Sequence, residues 1–165
     1  MNGAMHQAMN QQNRHCSVVR VADTGVLIEG ASGSGKTSLA LGLIDIARLR
    51  GLNAALICDD QALLAVCDGE LVASAPAATS GLAEIRGYGL AEFSFEPSCA
   101  IGLIGRLVSD NEIKRMPEAE TAKLMGVTLP MVRLPERHEQ QSVRILLARI
   151  GKSSTGPAEA KKHEA

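Results

Sequence analysis

The sequence has few aromatic residues, no tryptophan and no excess of charge of either sign. Aromatic residues make up 2% of the 165 residues, whereas 45% are hydrophobic, so the core has to be built from aliphatic side chains. Tyr88, Phe93 and Phe95 are too few to form a base-stacking platform of the usual kind. The formal net charge of −1 also lacks the basic excess of a nucleic-acid-binding protein. We therefore expect no nucleic-acid partner.

Cysteine pairs and long apolar runs are also missing. The four cysteines are scattered, without a C-x-x-C pair or histidines at zinc-binding spacing, which predicts reduced thiols. The first residues have neither the basic start nor the apolar stretch of a secretory signal, and no apolar run approaches the length that crosses a bilayer. We therefore expect a cytoplasmic protein that forms one domain and has no membrane segment.

The most informative pattern is a glycine-rich segment that fits G-x-x-x-x-G-K-[ST] at every fixed position. It consists of Gly30, Ala31, Ser32, Gly33, Ser34, Gly35, Lys36 and Thr37. Glycines allow successive backbone N–H groups to wrap a phosphate, the lysine reaches the terminal phosphates and the threonine hydroxyl binds Mg²⁺. An apolar run precedes the segment and a helical pattern follows it, in the order that such a loop requires. The segment predicts binding of a nucleotide or a similar phosphate.

The remaining apolar patterns predict an α/β fold with a mixed sheet, because one helix is followed by a stretch rich in hairpins. Strands are predicted near 16–22, 25–29, 54–58, 63–67, 70–74 and 100–108, and helices over about 36–50 and 138–150. Cys67-Asp68-Gly69-Glu70 is typical of a hairpin turn. Residues 116–133 hold two prolines and mixed charge, which predicts a connection with little regular structure. Residues 1–14 are predicted to be flexible, and 151–165 to form a disordered polar tail.

Asp59 and Asp60 close an apolar strand at the edge where open α/β sheets place ligands. One carboxylate could hold Mg²⁺ through water and the other could accept a proton from a hydroxyl nucleophile, whereas a solvated turn is the alternative. His15 precedes another apolar strand, and a lone histidine is more often structural or exposed. Glu84 and Arg86 lie in a charged, glycine-rich segment that suits a loop closing on phosphate, although a surface turn explains it equally well.

Together these residues resemble the HPr kinase/phosphorylase family. Its members carry a histidine upstream of a phosphate-binding loop, an apolar strand ending in Asp-Asp, and the signature L-E-I-R-G-x-G. Here His15 lies fifteen residues before Gly30, which is the family's separation. Residues 83–89 repeat the signature with Ala83 in place of leucine. The resemblance covers roughly residues 15 to 150, which we take as the catalytic domain. The chain is similar to a short form of the family that comprises the C-terminal catalytic domain only.

The resemblance implies a P-loop fold like that of phosphoenolpyruvate carboxykinase, with a mixed sheet and a helix after the loop. It also implies transfer of phosphate from ATP, with Mg²⁺, to a serine of HPr, the phosphocarrier protein of the sugar phosphotransferase system. The reverse phosphorylase reaction on phosphoserine-HPr is implied as well, and the likeness suggests a homo-oligomer, a hexamer.

Individual roles also follow from the resemblance. Lys36 would contact the transferred phosphate, and Thr37 and Glu84 would bind Mg²⁺. The Asp59-Asp60 pair would contain the base, with Asp60 favoured, and His15 would lie near that carboxylate and tune it. For Arg86, the charged, glycine-rich segment itself suggests that the side chain binds an anion in the active site, where it counts among the predicted catalytic residues.

One departure from the family pattern concerns an arginine. Family members carry G-R-N near the C-terminus, whereas residues 134–142 of this chain lack it. Arg137 and Arg144 are both candidates to replace that arginine. Kinase activity is therefore better supported than phosphorylase activity, and a nucleotide sensor without turnover or a P-loop small-molecule kinase are the alternative functions.

Overall fold

Eleven strands and two helices follow one another along residues 10–154, which are the residues that the computed structural model describes. The strands are β1 (Gln12–Arg14), β2 (Ser17–Val21), β3 (Thr24–Glu29), β4 (Ala54–Cys58), β5 (Ala62–Cys67), β6 (Glu70–Ser74), β7 (Leu82–Ile85), β8 (Gly89–Glu92), β9 (Ser98–Val108), β10 (Glu120–Leu124) and β11 (Val127–Pro135). The helices are α1 (Lys36–Leu49) and α2 (Glu139–Ser154). Short 3-10 turns occur at Ala77–Thr79 and Asp110–Glu112.

One curled, mixed sheet contains nine of these strands, and β7 and β8 form a separate hairpin. The main path runs β1-β5-β6-β9-β3-β2-β4, and β11 joins β9 and carries β10. The long strand β9 is shared, since residues 98–100 pair antiparallel with β6 and later residues pair parallel with β3 and β11. The predicted mixed α/β architecture is confirmed.

Both faces of the central strands are buried, because side chains alternate between two cores. Val19 and Ile28 belong to the core between the sheet and the two helices. Val18 and Leu27 belong to the core on the opposite face. The near-continuous apolar runs of β2, β3 and β4 follow from this arrangement, since a strand buried on both faces has no polar side.

The direction of the strands brings several chain segments to one edge of the sheet. Strands β3, β9 and β11 are parallel. Strand β4 runs in the same direction as β3, because β2 is antiparallel to both. The carboxyl ends of four strands therefore lie at the same edge, together with the beginning of β2. This is the edge at which open α/β sheets bind ligands.

Most of the predicted elements are present. The six predicted strands correspond to β2 to β6 and β9, and both predicted helices are found, with α2 extending to Ser154. The predicted hairpin turn is confirmed, with Asp68 at a φ of 51° and Gly69 at 79° between β5 and β6. Such left-handed pairs match the twist of a two-residue hairpin.

The prediction that residues 116–133 lack regular structure is wrong. This segment contains β10 and most of β11, which form a hairpin. Met125 and Gly126 form its turn at φ values of 49° and 81°. Pro130 is tolerated because β11 pairs with β9 only from Met131 onward, so the missing N–H breaks no bond to that strand.

The expected flexible ends are described only in part. Residues 12–14 form β1 against β5 because backbone pairing there does not depend on the polar side chains. Residues 1–9 and 155–165, which make up most of the expected flexible segment and tail, lie outside the described residues. Within residues 10–154, no helix is both long enough and apolar enough to cross a membrane.

Candidate functional site

A glycine-rich loop of residues 30–35 connects the carboxyl end of β3 to the first residue of α1. Gly33 and Gly35 adopt left-handed backbone conformations, with φ values of 76° and 96°. Gly35 caps α1 without a side-chain hydrogen bond, and no acidic residue lies in the first helical turn. The N-terminal amides of α1 therefore keep their positive potential, which suits an anion.

Lys36 folds back over this loop. Its Nζ donates hydrogen bonds to the carbonyl oxygens of Gly30 and Ala31, each at 2.9 Å. The side chain is buried, with 7% of its surface exposed. Two neutral carbonyl oxygens are weak partners for a buried ammonium, so an anion in the loop would compete well for it.

Asp59 connects the end of β4 to α1 and β2. Thr37 Oγ1 donates to its carboxylate, lying 2.9 Å from Oδ1 and 3.0 Å from Oδ2. Ser17 Oγ lies 2.6 Å from Asp59 Oδ1 and donates as well. Ser17 was not a predicted site residue, since one serine within an apolar strand carries no recognisable pattern.

Asp60 points away from this pair and toward His15. Asp60 has a φ of 66°, and Gln61 N donates to Asp59 O at 2.7 Å, so the chain makes a three-residue turn there. The two adjacent carboxylates consequently occupy different environments, one buried and one exposed. Asp60 Oδ1 lies within hydrogen-bonding distance of His15 Nε2, although 45 positions separate the two residues.

Comparison with known proteins now decides the family. The family model described as the HPr serine kinase C-terminal domain matches residues 6–155. The chain belongs to this family. The match includes the glycine-rich loop, both aspartates, and the segment that holds Glu84 and Arg86.

Several curated proteins are similar to this chain and are named HPr kinase/phosphorylase. The protein from Chlorobium chlorochromatii is 33% identical over 138 residues, which cover 75% of this chain and 39% of that protein. The protein from Limosilactobacillus reuteri is 34% identical over 137 residues, covering 76% of this chain and 41% of that protein. The protein from Clostridium tetani is 41% identical over 76 residues, covering 46% of this chain and 23% of that protein. The chain thus matches less than half the length of each of these relatives.

A solved structure shares the fold. It is the Hpr(Ser) kinase/phosphatase from Coxiella burnetii, with a TM-score of 0.74 and 24% sequence identity. The similarity covers 87% of this chain and 99% of the solved chain. The curled mixed sheet with its two helices is therefore the fold of an HPr kinase structure.

The structure does not join Glu84 and Arg86 to the loop by direct contact. Both lie at the end of β7 and in the turn toward β8, with exposed side chains. Within residues 10–154, neither side chain makes a hydrogen bond or an ion pair. Ala83 is buried in the core beside α1, so the hairpin is attached to the same helix that the loop begins.

Of the two candidate replacements for the G-R-N arginine, Arg137 lies at the loop. Its backbone N donates to Ser34 O at 3.2 Å, and its Nε lies 3.4 Å from Gly33 O. Arg144 is an exposed residue of α2. Arg137 follows the end of parallel strand β11 and has a φ of 59°, so the sheet delivers it to the same edge as the loop.

The residues present fit a nucleotide phosphate and a magnesium ion. Ser34 Oγ is buried without a hydrogen-bond partner among the described residues, and the α1 amides are uncapped, so donors remain for phosphate oxygens. The Thr37 hydroxyl and the Asp59 carboxylate supply the oxygen ligands that Mg²⁺ prefers. No group of three or more His, Cys, Asp or Glu residues in residues 10–154 could hold a metal by itself.

A second charged cluster lies beside the first residue of the loop. Glu29, at the end of β3, is buried, and its Oε2 accepts from Arg14 at 2.6 Å while its Oε1 accepts from Arg106 at 2.7 Å. Burial acts to raise the pKa of Glu29, but the hydrogen bonds and charges of the two arginines outweigh it, so the pKa lies below the ordinary 4.5. No local sequence pattern indicates this cluster, because its three members lie on three different strands.

Glu29→Gln should lower the free energy of unfolding by about 1–2 kcal/mol near pH 7, because it removes a buried carboxylate that binds two arginines. Because the pKa is lowered in the folded state, the ionised carboxylate stabilises the fold fully above pH 4.5, its ordinary pKa. This stabilisation is lost as the pH falls through the lowered pKa of the folded protein. The stability difference between the wild type and the variant should therefore shrink below that pH. Urea denaturation across pH measures it.

Glu118→Gln, at an exposed position, is the matched control and should change stability little at any pH. A Glu29→Gln effect that stays constant down to the acid transition would contradict the expected linkage.

Proposed function

We propose that this chain is an ATP- and Mg²⁺-dependent kinase that phosphorylates a serine of the phosphocarrier protein HPr. Its membership of the family supports the reaction class. The observation that carries the proposal is the contact of Thr37 Oγ1 with Asp59 at 2.9 Å, next to the Asp60-His15 pair. A metal-binding hydroxyl, an acidic residue and a candidate base thus meet at one loop.

We further propose that residues 30–37 are a P-loop in a fold like that of phosphoenolpyruvate carboxykinase. The left-handed glycines and the uncapped start of α1 support this role, because backbone amides can then surround the β- and γ-phosphates. Lys36 Nζ would exchange the carbonyl oxygens of Gly30 and Ala31 for phosphate oxygens. The ammonium would gain an ionised partner in this exchange.

Thr37 and Asp59 would hold Mg²⁺, which when bound neutralises developing negative charge on the transferred phosphate. Thr37 would bind the ion through its hydroxyl oxygen. Asp59 would accept a hydrogen bond either from that hydroxyl or from a water molecule bound to the ion. Glu84 is the second predicted ligand. Its exposed carboxylate makes no hydrogen bond or ion pair among the described residues, which leaves it available for this role.

Asp60 would be the base. In the forward reaction, the serine hydroxyl oxygen attacks the terminal phosphorus, its proton passes to the Asp60 carboxylate, and ADP leaves. His15 Nε2 contacts Asp60 Oδ1 and would orient that carboxylate toward the serine hydroxyl. Arg86 and Arg137 would add positive charge around the phosphates, and the exposed guanidinium of Arg137 already lies against the loop.

The reverse reaction follows from the same groups. Inorganic phosphate would attack the phosphorus of phosphoserine, and the bond from that phosphorus to the serine oxygen would break as the protonated base returns its proton to that oxygen. Pyrophosphate would be released as the product. This direction needs a cation that holds free phosphate beside Lys36, and Arg137 is the best-placed candidate. Because Arg137 is exposed, we propose kinase activity with weak phosphorylase activity.

The remaining proposals concern location and assembly. We propose a cytoplasmic protein, supported by free thiols at Cys16 and Cys58 within the core. We also propose a homo-oligomer, a hexamer by family resemblance. Exposed Tyr88 and Leu90 on the β7-β8 hairpin, which are 76% and 69% exposed, offer apolar surface for protein contact. Residues 15–150 would form the catalytic domain.

Lys36→Ala should weaken ATP binding by about a hundredfold or more and abolish phosphotransfer, because the loop amides alone do not neutralise the terminal phosphates. Incubation with labelled ATP, Mg²⁺ and HPr, followed by identification of the modified residue, measures transfer. Lys123→Ala, at an exposed position of β10, is the control and should behave as the wild type. ATP turnover without HPr would indicate a small-molecule kinase, and binding without turnover would indicate a sensor.

Asp60→Asn should lower the rate of transfer by about a hundredfold while ATP stays bound, because the amide cannot take the serine proton. Asn tolerates left-handed backbone, so the turn at φ 66° should survive. Asp59→Asn should instead raise the Mg²⁺ concentration needed for half-maximal rate. If both variants keep the full rate, the pair is only the end of a strand.

Arg137→Ala should reduce pyrophosphate formation from phosphorylated HPr by about fivefold or more, since it removes the arginine that contacts the loop. Arg144→Ala, at an exposed position of α2, is the matched control and should have no such effect. Wild-type pyrophosphate formation should itself be slow relative to the kinase reaction. Formation as fast as the forward reaction would contradict the proposed direction.

A further inference from the structure

An open cavity of about 530 Å³ lies beside the glycine-rich loop, and the proposed phosphate transfer gives no role to the two arginines in its wall. Its wall includes Arg14, His15, Glu29, Gly30 and Arg106. Gly30 is the first residue of the loop, and His15 is the residue that contacts Asp60. The cavity therefore lies next to both the phosphate loop and the candidate base.

The two arginines keep unused hydrogen-bond donors at this cavity. Arg14 contacts Glu29 through one Nη2, and Arg106 contacts it through Nε. A guanidinium carries five N–H donors, so most donors of both side chains have no partner among residues 10–154. The side chains are 39% and 40% exposed, which leaves them accessible to a ligand.

Glu29 fixes the arrangement of this arginine pair. Each of its carboxylate oxygens binds a different arginine, and the Glu29 side chain is only 9% exposed. The buried carboxylate therefore holds both guanidinium groups in place. Arg106 lies directly opposite Glu29 in the parallel pairing of β3 and β9, so the backbone also fixes this contact. The three side chains together carry a formal charge of about +1, which suits one negative charge.

We propose that Arg14 and Arg106 form a binding subsite for a single oxyanion group beside the loop. Guanidinium groups match the planar, two-oxygen geometry of carboxylates and also bind phosphates. The net charge favours a carboxylate, so the occupant is an acidic side chain of the protein substrate near its target serine. The identity of this occupant rests on the proposed function, whereas binding of an oxyanion does not.

Side-chain ¹⁵N NMR of the wild-type protein tests the subsite directly. Titration with sodium acetate should shift the Nε–H resonances of Arg14 and Arg106 in a saturable manner, more than sodium chloride at equal ionic strength does. Arg133 is the matched control, because it is 39% exposed and already bound to Glu120. Sodium phosphate is the second arm. Tighter binding of acetate assigns the subsite to a carboxylate, and tighter binding of phosphate assigns it to free phosphate.

Kinetics with HPr test whether the subsite contributes to binding of the protein substrate. Arg106→Gln should raise the KM for the protein substrate about three- to tenfold, while kcat and the KM for ATP change less than about twofold. Arg106→Lys should recover only part of the effect, since lysine keeps the charge but lacks the fork geometry. Arg133→Gln should leave the KM for the protein substrate unchanged.

The two proposals fail in different ways. If Arg106 Nε responds to acetate and phosphate no more than to chloride, the subsite is refuted, whatever the kinase assay gives. If HPr is not phosphorylated but the saturable shift is present, the oxyanion subsite stands and the proposed function is wrong. The NMR arm needs no variant, so it remains decisive even where Arg106→Gln does not fold.

Discussion

The buried carboxylate of Asp59 is the interaction on which the site depends. It accepts hydrogen bonds from Ser17 at the start of β2 and from Thr37 in the first turn of α1. A buried carboxylate is costly without such donors, so the three elements are held together at the point where the loop begins its helix. The position of the helix start, and with it the positive end of α1, is therefore set by one acidic side chain.

Strand direction explains why further charged groups converge on the same loop. Glu29, Arg106 and Arg137 each lie within two residues of the carboxyl ends of β3, β9 and β11, which are parallel. No local pattern joins them, since 104 positions separate Arg137 from the carbonyl of Gly33 that it contacts. The sheet thus concentrates arginines around a loop whose six residues include no cation and are followed by Lys36.

Local patterns predicted the parts of the molecule that depend on neighbouring residues. The glycine-rich loop, its helix and the Asp68-Gly69 hairpin all follow from short-range backbone chemistry. The β10-β11 hairpin escaped prediction because Pro130 is acceptable only at a place where β11 lacks its β9 neighbour, and that register is a tertiary fact. The Arg14-Glu29-Arg106 cluster was missed for the same reason, whereas the contact between His15 and Asp60 agrees with what the family resemblance implied.

The turn at Asp60 shows how one dipeptide can supply two different chemical groups. Adjacent residues of a regular strand point to opposite faces of the sheet, which would place one of the two aspartates in the apolar core. Here β4 ends at Cys58, and the left-handed φ of 66° at Asp60 turns the chain immediately afterward. Asp59 is thereby kept buried, where its carboxylate accepts hydrogen bonds from hydroxyl groups. Asp60 is exposed beside the imidazole of His15. Strained backbone of this kind costs about 1–3 kcal/mol and persists where the surroundings fix it, and here the bonds to Asp59 provide that constraint.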